Sequence, residues 1–175
     1  MHLKDAAELI GNEPFQKSGI QIWADLGCGS GIFTTALAGR LASGSIIYAV
    51  DSDDASLRKI PHTSGVSIKK VQADFVKAQL NLPALDGILM ANSLHYVNDK
   101  TGFINKISKF LQQDGCFLFI EYDTDIPVPT WVPYPVSFQS LTKLLALAGF
   151  NSAVRIGQRP SRYNRGTMYC ALIKK

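Results

Sequence analysis

Seven short β-type runs, most of them lacking polar alternation, limit what this chain can become more than any other feature of its sequence. They are IQIWADLG (20–27), SIIYAVDS (45–52), VSIKKVQAD (66–74), GILMANS (87–93), CFLFIEYD (116–123), SAVRIG (152–157) and TMYCALIKK (167–175). A strand that is apolar on successive residues is buried on both faces, which is the habit of parallel sheets flanked by helices. Helical spacing fills the intervals at 3–10, 30–42, 53–60, 98–113 and 137–149. Gly11 and Pro14 end the first helix, Ser30 is placed to cap the second, Pro61 closes the third, and Gly115 ends the fourth. Gly149 stands where a left-handed C-terminal residue is expected. The last two runs have no helix between them, so they form a hairpin and one terminal strand must be antiparallel. The expected fold is α/β: an open, mostly parallel seven-stranded sheet with helices on both faces and an antiparallel last strand. Lys69 and Lys70 mark the third run as a half-exposed edge.

Composition narrows the class further. At 175 residues with 46% hydrophobic and 18% charged side chains, the chain can build an ordinary core, and residues 1–175 are expected to form a single domain. The formal charge of +4 is too small for a dedicated nucleic-acid binder unless it is concentrated. Arg155, Arg159, Arg162 and Arg165 are such a concentration, interleaved with Tyr163 and followed by Lys174 and Lys175. They are expected to be a solvated hairpin, the alternative being a grip on a phosphate or carboxylate, or on RNA. Cys28, Cys116 and Cys170 include no C-x-x-C pair, so a metal ribbon or dithiol is excluded, and buried apolar roles are expected. The apolar runs are far shorter than the roughly 18 residues of a membrane helix, and the N-terminus has no signal-type core. A cytoplasmic protein is expected.

The turn after the first strand reads Asp25-Leu26-Gly27-Cys28-Gly29-Ser30-Gly31. Its glycines allow close backbone approach, and the helix that follows offers unpaired N–H groups to an anion. The dinucleotide pattern G-x-G-x-x-G is not met, because position 32 is Ile. A carboxylate at Asp25 would repel a pyrophosphate but attract the ammonium of a zwitterionic amino acid, directly or through water. Asp51 ends the second strand, where an acid can accept from both hydroxyls of a ribose. Asp74 and Phe75 end the third, where an acid and an aromatic ring suit an adenine. An amino acid, a ribose and an adenine across three strand ends describe S-adenosylmethionine.

With these motifs the chain resembles the class I S-adenosylmethionine-dependent methyltransferases, of the small-molecule type similar to ubiquinone and menaquinone biosynthesis enzymes. The resemblance is carried by WADLGCGSGIFT (23–34), YAVDSD (48–53), QADF (72–75) and DGILMANSLHYV (86–97), in the family's order. It implies the Rossmann-like methyltransferase fold and S-adenosylmethionine as cofactor. It also implies that Asp25, Gly27, Cys28 and Gly29 line the methionine moiety, that Asp51 binds the ribose, and that Asp74 and Phe75 meet the adenine. Asn92 would stand near the methionine portion. Where the family often has an apolar residue after the ribose acid, this chain has Ser52.

His95 and Tyr96 follow the fourth strand and would face the methyl-transfer site, where His95 could take a proton from an acceptor. Such a displacement draws much of its rate from positioning and desolvation, so a wall or packing role for His95 stays open. Tyr122, Trp131 and Tyr134 belong to or border the proline-rich segment 122–137, which is expected to lid a small-molecule acceptor. No N-P-P-Y-type stretch follows the fourth strand, which argues against methylation of adenine in DNA. Three other readings remain: a non-catalytic cofactor-binding module, a methyltransferase of RNA or protein, and a nicotinamide oxidoreductase, the last disfavoured by Asp25 and Ile32.

Overall fold

The computed structural model describes residues 1–12, 15, 19–150, 152–161 and 166–174. Its elements run α1 (Leu3–Ile10), β1 (Ile22–Leu26), α2 (Ile32–Ala38), β2 (Ile46–Asp51), α3 (Asp54–Arg58), β3 (Ser67–Gln72), β4 (Leu85–Ala91), α4 (Lys100–Ile107), β5 (Leu111–Tyr122), α5 (Phe138–Leu147), β6 (Ser152–Pro160) and β7 (Thr167–Lys174). The seven strands form one sheet in the order β3-β2-β1-β4-β5-β7-β6. β1 to β5 pair in parallel, and β7 lies antiparallel between β5 and β6, as the missing helix in the last interval requires. β3 is an edge, so Lys69 and Lys70 stand exposed there.

The strands carry their side chains alternately to two cores. Trp23, Ile47, Leu89 and Leu118 pack with Ala6, Leu9 and Ile10 of α1 and with Phe33 and Leu37 of α2. Ala24, Leu26, Ile88 and Phe117 pack on the other face with Phe103, Ile104 and Ile107 of α4 and Leu141 and Leu145 of α5. Because the order in which strands are added reverses between β1 and β4, the carboxyl ends of both strands open onto one crevice, where ligands of open α/β sheets bind.

Three boundaries differ from the sequence expectation. Gly31, not Ser30, occupies the N-cap of α2, with φ +80° and no side-chain cap. α4 stops at Ile107 and a short 3₁₀ turn leads to Leu111, which joins β5 opposite Leu85. Strand pairing thus claims residues that helical spacing had extended to 113. The β3–β4 crossover contains a single turn near 75–78, whose Val76 and Ala78 carbonyls accept from the Lys106 ammonium. Ser137 caps α5, and Gly149 takes φ +84°, as expected. Pro14, Arg162, Tyr163, Arg165 and Lys175 lie outside the described residues.

Candidate functional site

The glycine turn is shaped by what surrounds it. A Cβ at Gly27 (φ +79°) would sit 2.5 Å from the Ser93 Cβ and 3.0 Å from the Phe75 ring, so the turn lies directly against the ends of β4 and β3. The Gly27 and Cys28 amides donate to the Val50 carbonyl at 2.8 and 3.1 Å, which ties the turn to β2. At Gly29 (φ +52°) a Cβ would meet nothing within 4 Å, so this part of the backbone faces open space. Its amide donates to Asp51 Oδ2 at 2.7 Å.

Asp51 therefore organises two turns at once. Its Oδ1 accepts from the Asp53 amide at 2.9 Å, while Oδ2 holds Gly29. An ionised carboxylate has about four lone-pair positions, so two remain for hydroxyl donors. Ser52 beside it is exposed, and Asp53 caps α3 through the Ala55 amide. Asp74, at the end of β3, accepts from the Val76 and Lys77 amides and pairs with the Lys77 ammonium at 3.5 Å. Partial burial works against the charge, but the Lys77 and Val76 amides and the Lys77 ammonium hold its carboxyl below the usual range. The Phe75 ring packs against Gly27 and, edge-on, against Phe103 with centroids 5.8 Å apart.

Asp25 has no exposed surface. Thr34 of α2 donates its hydroxyl to Oδ2 at 2.6 Å, while Oδ1 is buried without a partner. Burial raises its carboxyl to about 7, opposed by the Thr34 hydroxyl and assisted by the charge of Asp51. On the neighbouring strand β4, Asn92 closes the crevice in the left-handed region, with φ +53°, its amide donating to the Ile120 carbonyl. The Asn92 Oδ1 is likewise buried and unpartnered. Two acceptor oxygens on adjacent strand ends thus lack donors, and buried acceptors of this kind are ordinarily satisfied. Burial also carries the half-buried Cys28 thiol far up, with Asp25 and Asp51 adding to the effect, so it is not a thiolate nucleophile at neutral pH.

A second cluster stands beyond β4. His95, in the 3₁₀ turn Leu94–Tyr96, is 2% exposed, and its Nδ1 lies 2.6 Å from Glu121 Oε2. The His95 amide donates to Glu121 Oε1 at 3.2 Å, so one carboxylate grips both ring and backbone. The Tyr96 and Tyr122 rings lie 4.4 and 6.0 Å from the imidazole. Segment 123–137 is fixed at its root by Asp125, which accepts from Ser137 and Ser140, and near its end by the Tyr134 amide donating to the His95 carbonyl. Buried Lys100 donates to the Val97 and Tyr134 carbonyls, and burial lowers its pKa against the opposing charge of Glu121. Ile126 and Trp131 stand 75% and 70% exposed on the outer loop, so Trp131 plugs no gap in the core.

Asp25, Gly27, Gly29, Asp51, Phe75 and Asn92 are thus brought together around one turn, and Tyr96 and Tyr122 around the His95 imidazole, with Tyr134 tied to the His95 backbone. Glu121 is the member that the sequence reading missed; its only signal was an acid inside the apolar run CFLFIEYD. Where the arginine cluster is described, it stays at the surface but is engaged in ion pairs. Arg155 pairs with Asp123 at 2.9 Å and stacks on Phe138, and Arg159 pairs with Asp5 at 3.2 Å. Among the described residues, no group of three or more His, Cys, Asp and Glu side chains could hold a metal ion, and no helix is long and apolar enough to cross a membrane.

Comparison with known proteins gives the geometry a context. Residues 24–117, more than half of the chain, match the family model described as a methyltransferase domain. Uncharacterized methyltransferases of Mycobacterium tuberculosis and Mycobacterium bovis are 25% identical over 107 residues, covering 61% of this chain and 53% of theirs. The chain thus spans about half the length of the curated relatives it matches. An S-adenosylmethionine-dependent methyltransferase from Leishmania major superposes with a TM-score of 0.74 at 17% identity, covering 97% of this chain and 72% of that one. Another from Mesorhizobium loti gives 0.71 at 17% identity, covering 99% and 100%. At such identities these likenesses establish the fold.

Proposed function

Since the chain belongs to the methyltransferase-domain family, we propose that it is an S-adenosylmethionine-dependent methyltransferase acting, in the cytoplasm, on a small-molecule acceptor, with residues 1–175 as its working unit. The observation that carries this reading is the crevice itself: acids end three adjacent strands, and the buried Asp25 Oδ1 and Asn92 Oδ1 stand without donors beside an open glycine turn. That donor set fits the cofactor. Unpartnered acceptors suit an ammonium, a two-oxygen acid with spare lone pairs suits a ribose diol, and an acid beside a ring suits an adenine.

In this reading Asp25, Gly27, Cys28, Gly29 and Asn92 hold the methionine end, Asp51 and Ser52 the ribose, and Asp74 and Phe75 the adenine. Because Asp25 is enclosed behind the turn, it acts through its field or through a bridging water. When bound, the cofactor supplies a methyl group activated by a positive sulfur. The chain's own contribution is positioning and the exclusion of water by the wall of His95, Tyr96, Tyr122 and Tyr134, with Trp131 on the outer loop left to meet the acceptor.

Calorimetric titration with S-adenosylhomocysteine and, separately, with NAD tests the reading. Saturable one-to-one binding of the nucleoside thioether and no heat with NAD is expected. NAD binding alone would overturn it, and tight thioether binding with no transfer to any acceptor would reduce the protein to a binding module.

A further inference from the structure

We propose that the acceptor is an uncharged phenol and that Glu121 is a positioning residue, holding His95 in the tautomer whose Nε2 takes the phenolic proton. The proposal rests on the methyltransferase reading and adds to it the class of acceptor and the arrangement of the base. Glu121 is 1% exposed and has both oxygens committed to one residue: Oε2 to His95 Nδ1 at 2.6 Å and Oε1 to the His95 amide at 3.2 Å. An ionised carboxylate only accepts, so the proton of the neutral imidazole must sit on Nδ1, and Nε2 is the atom with a lone pair to offer. The same carboxylate stabilises the imidazolium that forms when Nε2 gains a proton.

The acceptor's shape and charge follow from the surroundings. The imidazole side chain is 3% exposed, so only a thin group can meet it. The Tyr96 and Tyr122 rings supply aromatic surface around it, and the nearby ammonium of Lys100 is already held by the Val97 and Tyr134 carbonyls. A flat ring carrying a weakly acidic hydroxyl fits such a place; a carboxylate or an ammonium would find no partner left to neutralise it. In the step, the phenol oxygen gives its proton to His95 Nε2 and its lone pair to the methyl carbon. The bond from that carbon to sulfur breaks with both electrons remaining on sulfur. The products are an aryl methyl ether, a neutral thioether and a protonated imidazole that returns its proton to solvent.

Glu121→Gln is the informative variant. If the Gln amide oxygen accepts from the His95 backbone, its NH₂ faces Nδ1 and drives the ring proton onto Nε2, abolishing the base. Cofactor binding is measured first with S-adenosylhomocysteine and should stay within about threefold of the parent. Labelled methyl transfer is then followed to 4-nitrophenol, 4-methylphenol and 2-naphthol, with aliphatic amines and carboxylates alongside. We expect transfer to the phenols only. Glu121→Gln should lower kcat by about 10²–10³-fold with little change in KM, and His95→Gln should do likewise. Nitrogen-15 spectra of the cofactor-loaded protein should show the His95 proton on Nδ1, moved to Nε2 by Glu121→Gln. Failure to bind the thioether overturns the methyltransferase reading and this one with it. Binding without transfer to any phenol, an unchanged kcat in Glu121→Gln, or a parent ring protonated on Nε2 overturns this inference alone. Should the variant fail to fold, the parent spectrum decides.

Discussion

Asp25→Asn separates the two consequences of burying a carboxyl behind the glycine turn. Burial carries its pKa from 3.8 to about 7. At 1.36 kcal/mol per pH unit, that amounts to roughly 4 kcal/mol against folding once the group is fully ionised. Because the folded value lies above the unfolded one, the stability tied to the neutral carboxyl is complete below about pH 3.8. It declines as pH rises and is gone above about 7. In the variant, the amide oxygen can keep the Thr34 hydroxyl, but its NH₂ occupies the place of Oδ1, which has no partner. An unsatisfied buried donor costs about 1–3 kcal/mol. The ligand-free variant should therefore be about 1–3 kcal/mol more stable than the parent at pH 8, an advantage that shrinks to near zero at pH 5. Urea unfolding of both proteins at the two pH values measures this. The same variant should bind S-adenosylhomocysteine about tenfold or more weakly at pH 8, because the charge facing the ammonium is gone. An identical stability offset at pH 5 and pH 8, or undiminished affinity, would refute the reasoning.

Other perturbations probe the rest of the crevice. Affinity of the parent for S-adenosylhomocysteine should rise with pH through about 7, as Asp25 ionises, and Asp25→Asn should flatten that dependence in calorimetry. Asp51→Ala should weaken binding by about 2–3 kcal/mol, through the lost hydroxyl partners and the released Gly29 amide. An unchanged dissociation constant would remove Asp51 from the site. Gly27→Ala places a Cβ against Ser93 at φ +79° and should lower unfolding stability by roughly 2–5 kcal/mol, whereas Gly29→Ala, with open space around it, should cost about 1–3 kcal/mol. Equal losses would mean that the turn does not lie against β4. Arg155→Ala, removing the Asp123 pair and the stacking on Phe138, should cost about 1 kcal/mol of stability and leave cofactor affinity unaltered; weakened binding would restore the arginine to the ligand site.

The fold and the crevice at the strand ends were legible because both depend on local order in the chain. Apolar runs of IIYAV type declare buried strands, and Asp25, Asp51 and Asp74 stand where those strands must end, whatever the tertiary packing. What escaped depends on partners distant in sequence. Glu121 meets His95 only because β5 lies beside β4, and the two are 26 positions apart. The partners of Arg155 and Arg159 were hidden in the same way, since only the fold brings Asp123 and Asp5 to them. The overlong fourth helix has the same origin: KFLQQ continues a helical pattern, and only the presence of Leu85 alongside recruits Leu111 into a strand. The enclosure of Asp25 was equally invisible, since α2 supplies both its cover and the Thr34 hydroxyl.

A crystal structure with bound S-adenosylhomocysteine measures the central claim most directly. We expect the ammonium within single-water reach of Asp25 and beside Asn92, both ribose hydroxyls on Asp51, and the sulfur facing the His95–Glu121 pair. A nucleoside lying elsewhere on the protein, with Asp51 still bonded only to the Gly29 and Asp53 amides, would contradict the account.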